Sequence, residues 1–272
     1  MNHVIIPPPP ELAHLVKCFW SFETNVPPGR SLMISTFVND STGMTFVLDK
    51  TNPLFRATVE GQSVRPRVYT PVSSVNAMGV QFQTGVLPHL FRFDANEFID
   101  QEISLSDLYK SDLQEKLLEA NSSEKRIQLL CAFIKSLNRR DSRLDPLIAS
   151  SLESIRVECM PRVHELLKTL GVSERQLERK FLKSIGVTPR HFLSVARFQR
   201  TLHYLKRTHD PYFTTLCFDM GYYDQAHFTK DIRRLSGYTP KELHRKLMKH
   251  AVNQKGSTSY LIEIADTQNT TT

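Results

Sequence analysis

The sequence predicts an α+β protein in which a small antiparallel β barrel or sandwich with helices precedes an all-α domain with two helix-turn-helix units. Three observations predict this class. Short β-branched and aromatic runs dominate the first hundred residues, and apolar residues with helical spacing dominate the rest. One supersecondary pattern also occurs twice at a fixed offset. The length of 272 residues suits two domains.

The β-rich part is predicted from five short runs, at 19–22, 33–38, 45–48, 56–59 and 77–82. Pro, Gly, Asn and Asp separate these runs, which is typical of a small antiparallel barrel or sandwich. Helical spacing then predicts helices over 107–119 and Ser123–Leu137. These helices could form the domain junction, form a dimer interface or cover the β-rich part.

The predicted domain boundaries follow these changes in composition. The β-rich domain is expected at 1–110, a helical connector and linker at 111–143, and the helical domain at 144–250. Residues 138–143 are polar and charged and are the best candidate for the linker itself. Residues 251–272 are polar and end in Gln-Asn-Thr-Thr-Thr, which predicts a disordered tail.

Positive charge is concentrated in the helical domain. Residues 146–250 hold 19 Lys and Arg against 10 Asp and Glu, a net charge of +9. The remainder holds 16 against 18, a net charge of −2. A localised cationic excess favours a polyanionic partner for this domain alone, although a solvated charged face has the same composition.

Two other features concern the cellular location. No run of about 18 apolar residues is present, and the N-terminus lacks the pattern of a secretory signal, so no membrane partner is expected. The four cysteines are scattered, at Cys18, Cys131, Cys159 and Cys217. This pattern is typical of reduced thiols and predicts a cytoplasmic protein.

The internal repeat has an offset of 51 residues. The matching positions are Ser173 and Asp224, Leu177 and Phe228, Phe181 and Ile232, Gly186 and Gly237, Thr188 and Thr239, and Pro189 and Pro240. Each copy has the pattern of a helix, a short turn containing glycine, and a capped second helix. Two helix-turn-helix units follow from this pattern.

The second helix of each unit is expected to place its polar side in a major groove of DNA. At 100° per residue, Leu177 and Phe181 share one side of the first helix, and Phe228 and Ile232 share one side of the second. Arg, Lys, Gln and Thr are side chains that reach base edges and phosphates. The residues expected to face DNA are Arg175, Gln176, Glu178, Arg179, Lys183, Gln225, Ala226, Thr229, Lys230, Arg233 and Arg234.

A long helix is predicted between the two units, from Pro189 to about Arg207. Its 18 or so residues correspond to about 27 Å. Held apart by such a helix, the two reading helices could enter successive major grooves, which lie about 34 Å apart. The units differ at their exposed positions, so they are expected to read different parts of one asymmetric site.

The helical domain resembles the AraC/XylS family of bacterial transcription regulators. The resemblance is carried by VSERQLERKF at 172–181, GVTPRHF at 186–192, RFQR at 197–200, GYYDQAHFTK at 221–230 and GYTP at 237–240. Departures occur at Thr201, Ile232 and Leu243, which are apolar or small positions. A weaker likeness to the sensor-type domain of some members is carried by PELAHLVKCFWSF at 10–22 and GVQFQTG at 79–85, together with the stretch from Glu97 to Leu108.

The resemblance implies a sequence-specific DNA-binding regulator with about seven helices in its DNA-binding domain. It suggests Arg175, Arg179, Gln225, Ala226 and Lys230 as the leading groove-facing residues. Double-stranded DNA is the implied partner. A small-molecule effector, RNA polymerase in the case of an activator, and a homodimer remain open. No cofactor is expected.

The sequence contains little support for an enzymatic site or a metal site. His164 and Glu165 begin an H-E-x-x-H motif, but position 168 is Lys, so the second zinc ligand is missing. No catalytic or metal-binding residue is therefore predicted. Two alternatives stay open. The first is a DNA-binding enzyme or repair protein with its chemistry in the N-terminal domain, where Cys18 would be the simplest nucleophile. The second is a regulator controlled by a protein partner. Trp20 could line a pocket or belong to the core.

Overall fold

The computed structural model describes residues 2–25, 30–50, 56–69, 74–138, 144–157, 161–250 and 260–266. The strands are β1 (Asn2–Ile6), β2 (Val16–Thr24), β3 (Arg30–Thr36), β4 (Gly43–Val47), β5 (Ala57–Glu60), β6 (Arg67–Tyr69), β7 (Val75–Phe82), β8 (Glu102–Ser104) and β9 (Tyr260–Asp266). The helices are α1 (Val86–Phe91), α2 (Leu105–Leu108), α3 (Leu113–Glu119), α4 (Ser123–Leu137), α5 (Pro146–Val157), α6 (Val163–Leu170), α7 (Glu174–Ser184), α8 (Pro189–Leu205), α9 (Phe213–Asp219), α10 (Gln225–Ser236) and α11 (Pro240–His250). Among these described elements, none of the helices is both long and apolar enough to cross a membrane.

The β-rich domain consists of two antiparallel sheets. The larger sheet has the strand order β1-β2-β7-β4-β5-β8, and the smaller one has the order β6-β3-β9. Within the described residues β1 and β8 remain at opposite ends of the larger sheet, so the sheet is open and does not close into a barrel. The α+β class is confirmed, with an open two-sheet arrangement for its first part.

One face of the larger sheet carries the main core of this domain. Phe19, Phe46 and Phe82 are fully buried on this face. They belong to one apolar cluster with Leu117 of α3 and Leu130 of α4. The two predicted helices therefore cover the sheet. The helix expected over 107–119 forms two shorter helices, α2 and α3, because Tyr109 adopts an extended conformation that ends α2.

The opposite face of the larger sheet changes from apolar to polar along its strands. Phe22, Val47 and Ala77 are buried at one end. Next to them the indole of Trp20 lies over Gly79, where an added Cβ would come within 2.5 Å of the ring. Gly79 is therefore needed for this close approach. At the other end, Thr45 donates a hydrogen bond to the carboxylate of Glu60.

The smaller sheet lies against this second face. Arg67 donates to Glu102 Oε1 at 2.8 Å, and the Tyr69 hydroxyl donates to the same oxygen at 2.6 Å. Burial raises the pKa of the Tyr69 hydroxyl to about 12. We call this polar and aromatic surface the inter-sheet face; it comprises Trp20, Thr45, Glu60, Arg67, Tyr69 and Glu102.

The helical domain has two apolar centres. The first gathers Ile148 and Ile155 of α5, Leu166 of α6, and Leu177 and Phe181 of α7. The second gathers Leu216 of α9, Phe228 and Ile232 of α10, and Leu243 and Leu247 of α11. Helix α8 contributes to both, with Phe192 in the first and Phe198 in the second. It therefore connects the two units as the sequence predicts, although it ends at Leu205.

The C-terminal segment differs from the prediction. Strand β9 pairs with the whole length of β3, in a register that runs from Arg30 opposite Asp266 to Thr36 opposite Tyr260. The prediction of a disordered tail is therefore wrong over 260–266. The short apolar run in Tyr-Leu-Ile-Glu-Ile suits a strand, but the strand that pairs with it lies more than 200 residues away in the sequence. Residues 251–259 and 267–272, and most of the predicted linker, lie outside the described residues.

Candidate nucleic-acid interface

The first helix-turn-helix unit is formed by α6 and α7. Helix α6 ends at Gly171, whose positive φ of 64° favours glycine. The Ser173 side chain then caps α7 by accepting a hydrogen bond from the backbone N–H of Gln176 at 3.3 Å. Leu177 and Phe181 are buried on the inner side of α7. These contacts fix the opposite side of α7 towards solvent.

The outer side of α7 carries the predicted groove-facing residues of the first unit. Arg175, Gln176 and Arg179 are exposed, and Glu178 is half-buried. Lys183 is also exposed, but it lies near the end of α7, 3.4 Å from a carboxylate oxygen of Asp94 in the β-rich domain. The structure therefore brings four of these residues together and places Lys183 at the domain boundary.

The second unit repeats this arrangement with α9 and α10. The Asp224 carboxylate caps α10 by accepting a hydrogen bond from the backbone N–H of His227 at 2.7 Å. Phe228 and Ile232 are buried on the inner side of α10. Gly237 ends the helix with a positive φ of 83°. The repeat predicted from the sequence is thus confirmed at the level of caps, core positions and ends.

The outer side of α10 carries the residues predicted for the second unit. Gln225, Ala226, Lys230 and Arg233 are exposed, and Thr229 is half-buried. Arg234 differs from these, because its guanidinium donates to Ser194 Oγ at 2.7 Å and to Asp231 Oδ1 at 2.8 Å. Its side chain is therefore directed towards α8.

Sequence reasoning did not identify the polar contact between α8 and α10. Asp231 is buried and accepts a hydrogen bond from Ser194 Oγ at 2.6 Å as well as those from Arg234. Burial alone would raise the pKa of this carboxyl, but the bonds from Ser194 and Arg234 outweigh it and lower the pKa. A buried, ionised Asp231 thus fixes α10 on α8. The one sequence signal is an acidic residue between two buried positions of α10.

The incomplete zinc motif remains exposed. The side chains of His164 and Glu165 lie on α6 with a separation of 3.9 Å between His164 Nε2 and Glu165 Oε1. Over the ranges that the structure describes, no group of three or more His, Cys, Asp or Glu side chains could hold a metal ion.

Two family models match the chain, and together they cover both domains. A family described as a helix-turn-helix domain matches residues 166–246. A family described as a domain of unknown function, DUF6597, matches residues 4–104. The first match spans both units.

Two curated relatives match this chain over part of their length. RhaS of Escherichia fergusonii, an HTH-type transcriptional activator, is 30% identical over 124 residues, which are 44% of this chain and 44% of RhaS. RhaS of Enterobacter sp. strain 638 is 27% identical over 118 residues, which are 42% of this chain and 40% of that protein. The match thus spans less than half the length of these relatives.

Solved structures that the comparison finds similar to this chain include ToxT from Vibrio cholerae O395 bound to (E)-4-(8-methylnaphthalen-1-yl)but-3-enoic acid. It covers 84% of this chain and 99% of its own, with 12% identity and a TM-score of 0.47. The C-terminal domain of AraT, a response regulator from Geobacillus stearothermophilus, covers 38% of this chain and 88% of its own, with 22% identity and a TM-score of 0.36.

The sequence comparisons and the structural repeat concern the same stretch of the chain. The helix-turn-helix family model matches the stretch that contains both units, and the relatives are HTH-type transcriptional activators. The motifs at 172–181 and 221–230 lie in α7 and α10 and in the turns before them. Residues 166–246 therefore form a helix-turn-helix domain of the family that this model describes, and the motifs that resemble the AraC/XylS family lie within it.

Proposed function

We propose that this protein is a bacterial transcription regulator that binds a specific DNA sequence through α7 and α10 and senses an effector through its N-terminal domain. The observation that carries the proposal is the pair of capped helices with buried inner sides and basic outer sides. Arg175 and Arg179 project from one helix, and Lys230 and Arg233 project from the other. Such a regulator acts in the cytoplasm, where bacterial DNA is found.

The charge distribution supports DNA as the partner of the helical domain. Its net charge of +9 contrasts with −2 for the rest of the chain. Cationic side chains that contact phosphates release counterions, so binding should depend steeply on salt. Exposed Arg, Lys and Gln side chains on a helix can add contacts to base edges in the major groove. RNA polymerase would be a further partner if the protein activates transcription.

The test of DNA binding uses the full chain and a library of random duplexes. We expect one sequence to be enriched. The logarithm of the binding constant for this sequence should fall linearly with the logarithm of the salt concentration. Genome-wide mapping of bound sites would then identify the target genes. Absence of binding to any duplex at low salt, or binding without sequence preference, would contradict the proposed function.

The inter-sheet face is the best-supported place for an effector. It combines the Trp20 ring with hydrogen-bonding groups of Thr45, Tyr69 and Glu102. Glu60 is half-buried in the same place, and burial raises the pKa of its carboxyl. An aromatic surface beside convergent polar groups is typical of small-molecule sites. The opposite face of the sheet is filled by core side chains.

Trp20 makes this part of the proposal directly measurable, because it is the one tryptophan of the chain. We expect an effector to change the Trp20 fluorescence and, by mass action, to raise the melting temperature. Glu60→Gln should weaken both responses, while Lys125→Ala on α4 should leave them unchanged. A ligand that alters DNA binding without affecting Trp20 would place the effector elsewhere.

The alternative of an enzyme with Cys18 as nucleophile finds no support at that residue. Burial raises the pKa of the Cys18 thiol, whereas a nucleophilic cysteine needs a lowered pKa. Its Sγ lies 3.5 Å from Oε1 of Gln81. The other alternative, control by a protein partner, predicts that DNA binding responds to a second protein and to no small molecule.

A further inference from the structure

Strand β3 lies between the inter-sheet face and the second helix-turn-helix unit. Successive residues of a strand point to opposite sides. Ile34 packs with Phe22 and Val47 on the larger sheet. The next residue, Ser35, is buried and its hydroxyl lies 3.3 Å from that of Tyr238, just after α10. The strand therefore contacts both domains, one on each side.

The segment that follows β3 completes the core of the second unit. Phe37 is 2% exposed and Val38 is 0% exposed, and both belong to the apolar cluster of α8, α9, α10 and α11. The Phe37 ring meets the edge of the Phe198 ring, with 6.1 Å between the centroids. Two residues of the β-rich domain thus occupy positions in the interior of the DNA-binding domain.

Hydrogen bonds hold the same segment to α8 and to the last turn of α10. The backbone N–H of Val38 donates to the carbonyl of Leu235 in the last turn of α10, at 3.1 Å. The side chain of Gln199 on α8 donates to the carbonyl of Val38 at 2.7 Å. Both backbone groups of Val38 are therefore bonded to the second unit, which fixes its position relative to α10.

The first unit is attached to the β-rich domain through a different segment. An added Cβ at Gly186, just after α7, would come within 2.5 Å of Ile99 Cδ1 and 2.9 Å of the Ala95 carbonyl oxygen. Ile99 packs against the apolar cluster that contains Leu177 and Phe181. Lys183 is paired with Asp94 at the same place. Residues 94–99 therefore hold α7, and residues 35–38 hold α10.

We propose that each DNA-reading helix is positioned by its own segment of the β-rich domain, with Phe37 and Val38 acting as positioning residues for α10. Because β3 also forms one wall of the inter-sheet face, a change at that face reaches α10 through residues 34–38 without passing through α7. The β-rich domain can thus control the two readers separately. This inference rests on the proposed function only for its DNA readout.

Two variants of the full chain, which are expected to have opposite effects on α7 and α10, test the inference. Phe37→Ala should speed amide hydrogen exchange in α10 by about tenfold or more while leaving α7 protected, because the cavity opens in the core of the second unit and not beside α7. Ile99→Ala should produce the reverse pattern. On DNA, Phe37→Ala should remove footprint protection over the part of the site read by α10, and Ile99→Ala over the part read by α7.

Two further variants separate positioning from general damage. Phe37→Leu keeps an apolar side chain at this position and should restore most of the α10 protection. Phe46→Ala truncates an equally buried phenylalanine in the opposite core of the β-rich domain and should spare α10 selectively. If Phe37→Ala fails to fold, Gln199→Leu removes one bond to Val38 and should loosen α10 by a smaller factor.

The outcomes are distinguishable from a failure of the proposed function. The inference is overturned if Phe37→Ala and Ile99→Ala loosen both helices equally, or if neither affects either helix. Hydrogen exchange gives this answer without DNA. If Phe37→Ala loosens only α10 and Ile99→Ala loosens only α7, but no duplex is bound, the positioning role is supported and the proposed DNA-binding function is contradicted.

Discussion

Phe228→Ala is expected to lower the free energy of unfolding by about 3–5 kcal/mol, the range for truncating a buried phenylalanine. Phe228 is 0% exposed on the inner side of α10. Its ring meets the edge of the Tyr222 ring in the turn before α10, with 5.1 Å between the centroids. The substitution therefore removes a contact that joins the turn to the reading helix. Urea denaturation followed by circular dichroism measures the loss.

A matched control for Phe228→Ala is available in the same unit. Phe218 on α9 is 61% exposed, so Phe218→Ala should change stability by no more than about 0.5 kcal/mol. Equal losses for the two variants would contradict the assigned inner and outer sides of the second unit. Because α10 would also lose its fixed orientation, Phe228→Ala should reduce DNA affinity, whereas Phe218→Ala tests whether the exposed side of α9 contributes to it.

Local patterns were sufficient to predict most helices of the DNA-binding domain. Ser173 and Asp224, which the repeat aligns, cap α7 and α10, and α8 begins at Pro189 as predicted. These features depend on residues within one or two turns of each other, so a single sequence contains the information. The fully buried Ile232 and Leu243 show that the departures from the family pattern keep the core apolar.

Non-local contacts were not predictable in the same way. Strand β9 has a short apolar sequence of an ordinary kind, but its stability depends on the free edge of β3. The sequence predicts Phe37 and Val38 at the end of a strand. Only the three-dimensional structure shows that they lie in the core of the other domain. Pairings and insertions of this kind depend on which surfaces meet in space, which sequence periodicity does not specify.

The candidate interface likewise has features that the sequence predicts and features that depend on non-local contacts. Periodicity separates the inner side of α7 and α10 from the outer side, and the exposed Arg175, Arg179 and Lys230 lie on the predicted side. Periodicity alone did not show that Arg234 is bonded to Asp231 and Ser194, or that Lys183 is paired with Asp94. Hydrogen-bond and ion-pair partners, which periodicity does not specify, decide whether a flanking side chain is free to contact DNA.

Arg179→Ala and Lys230→Ala are expected to alter different parts of the preferred DNA sequence. The repeat aligns Arg175 with Ala226 and Arg179 with Lys230, so the buried positions match while the exposed ones differ. Each reading helix should therefore prefer its own base pairs. If Arg179 binds a guanine through two hydrogen bonds, its removal should cost about 1–3 kcal/mol of binding free energy and relax preference at one end of the site.

Selection from a randomised DNA library, applied to the wild type and to both variants, measures this directly. Lys230→Ala should relax preference at the other end, or weaken all sequences equally if Lys230 contacts only phosphate, since a phosphate contact carries no sequence information. Lys125→Ala on α4 removes the same charge outside the DNA-binding domain and should preserve the selected sequence. Loss of preference at the same base pairs in both variants would refute separate reading, because one chain would then be using both helices on a single patch of DNA.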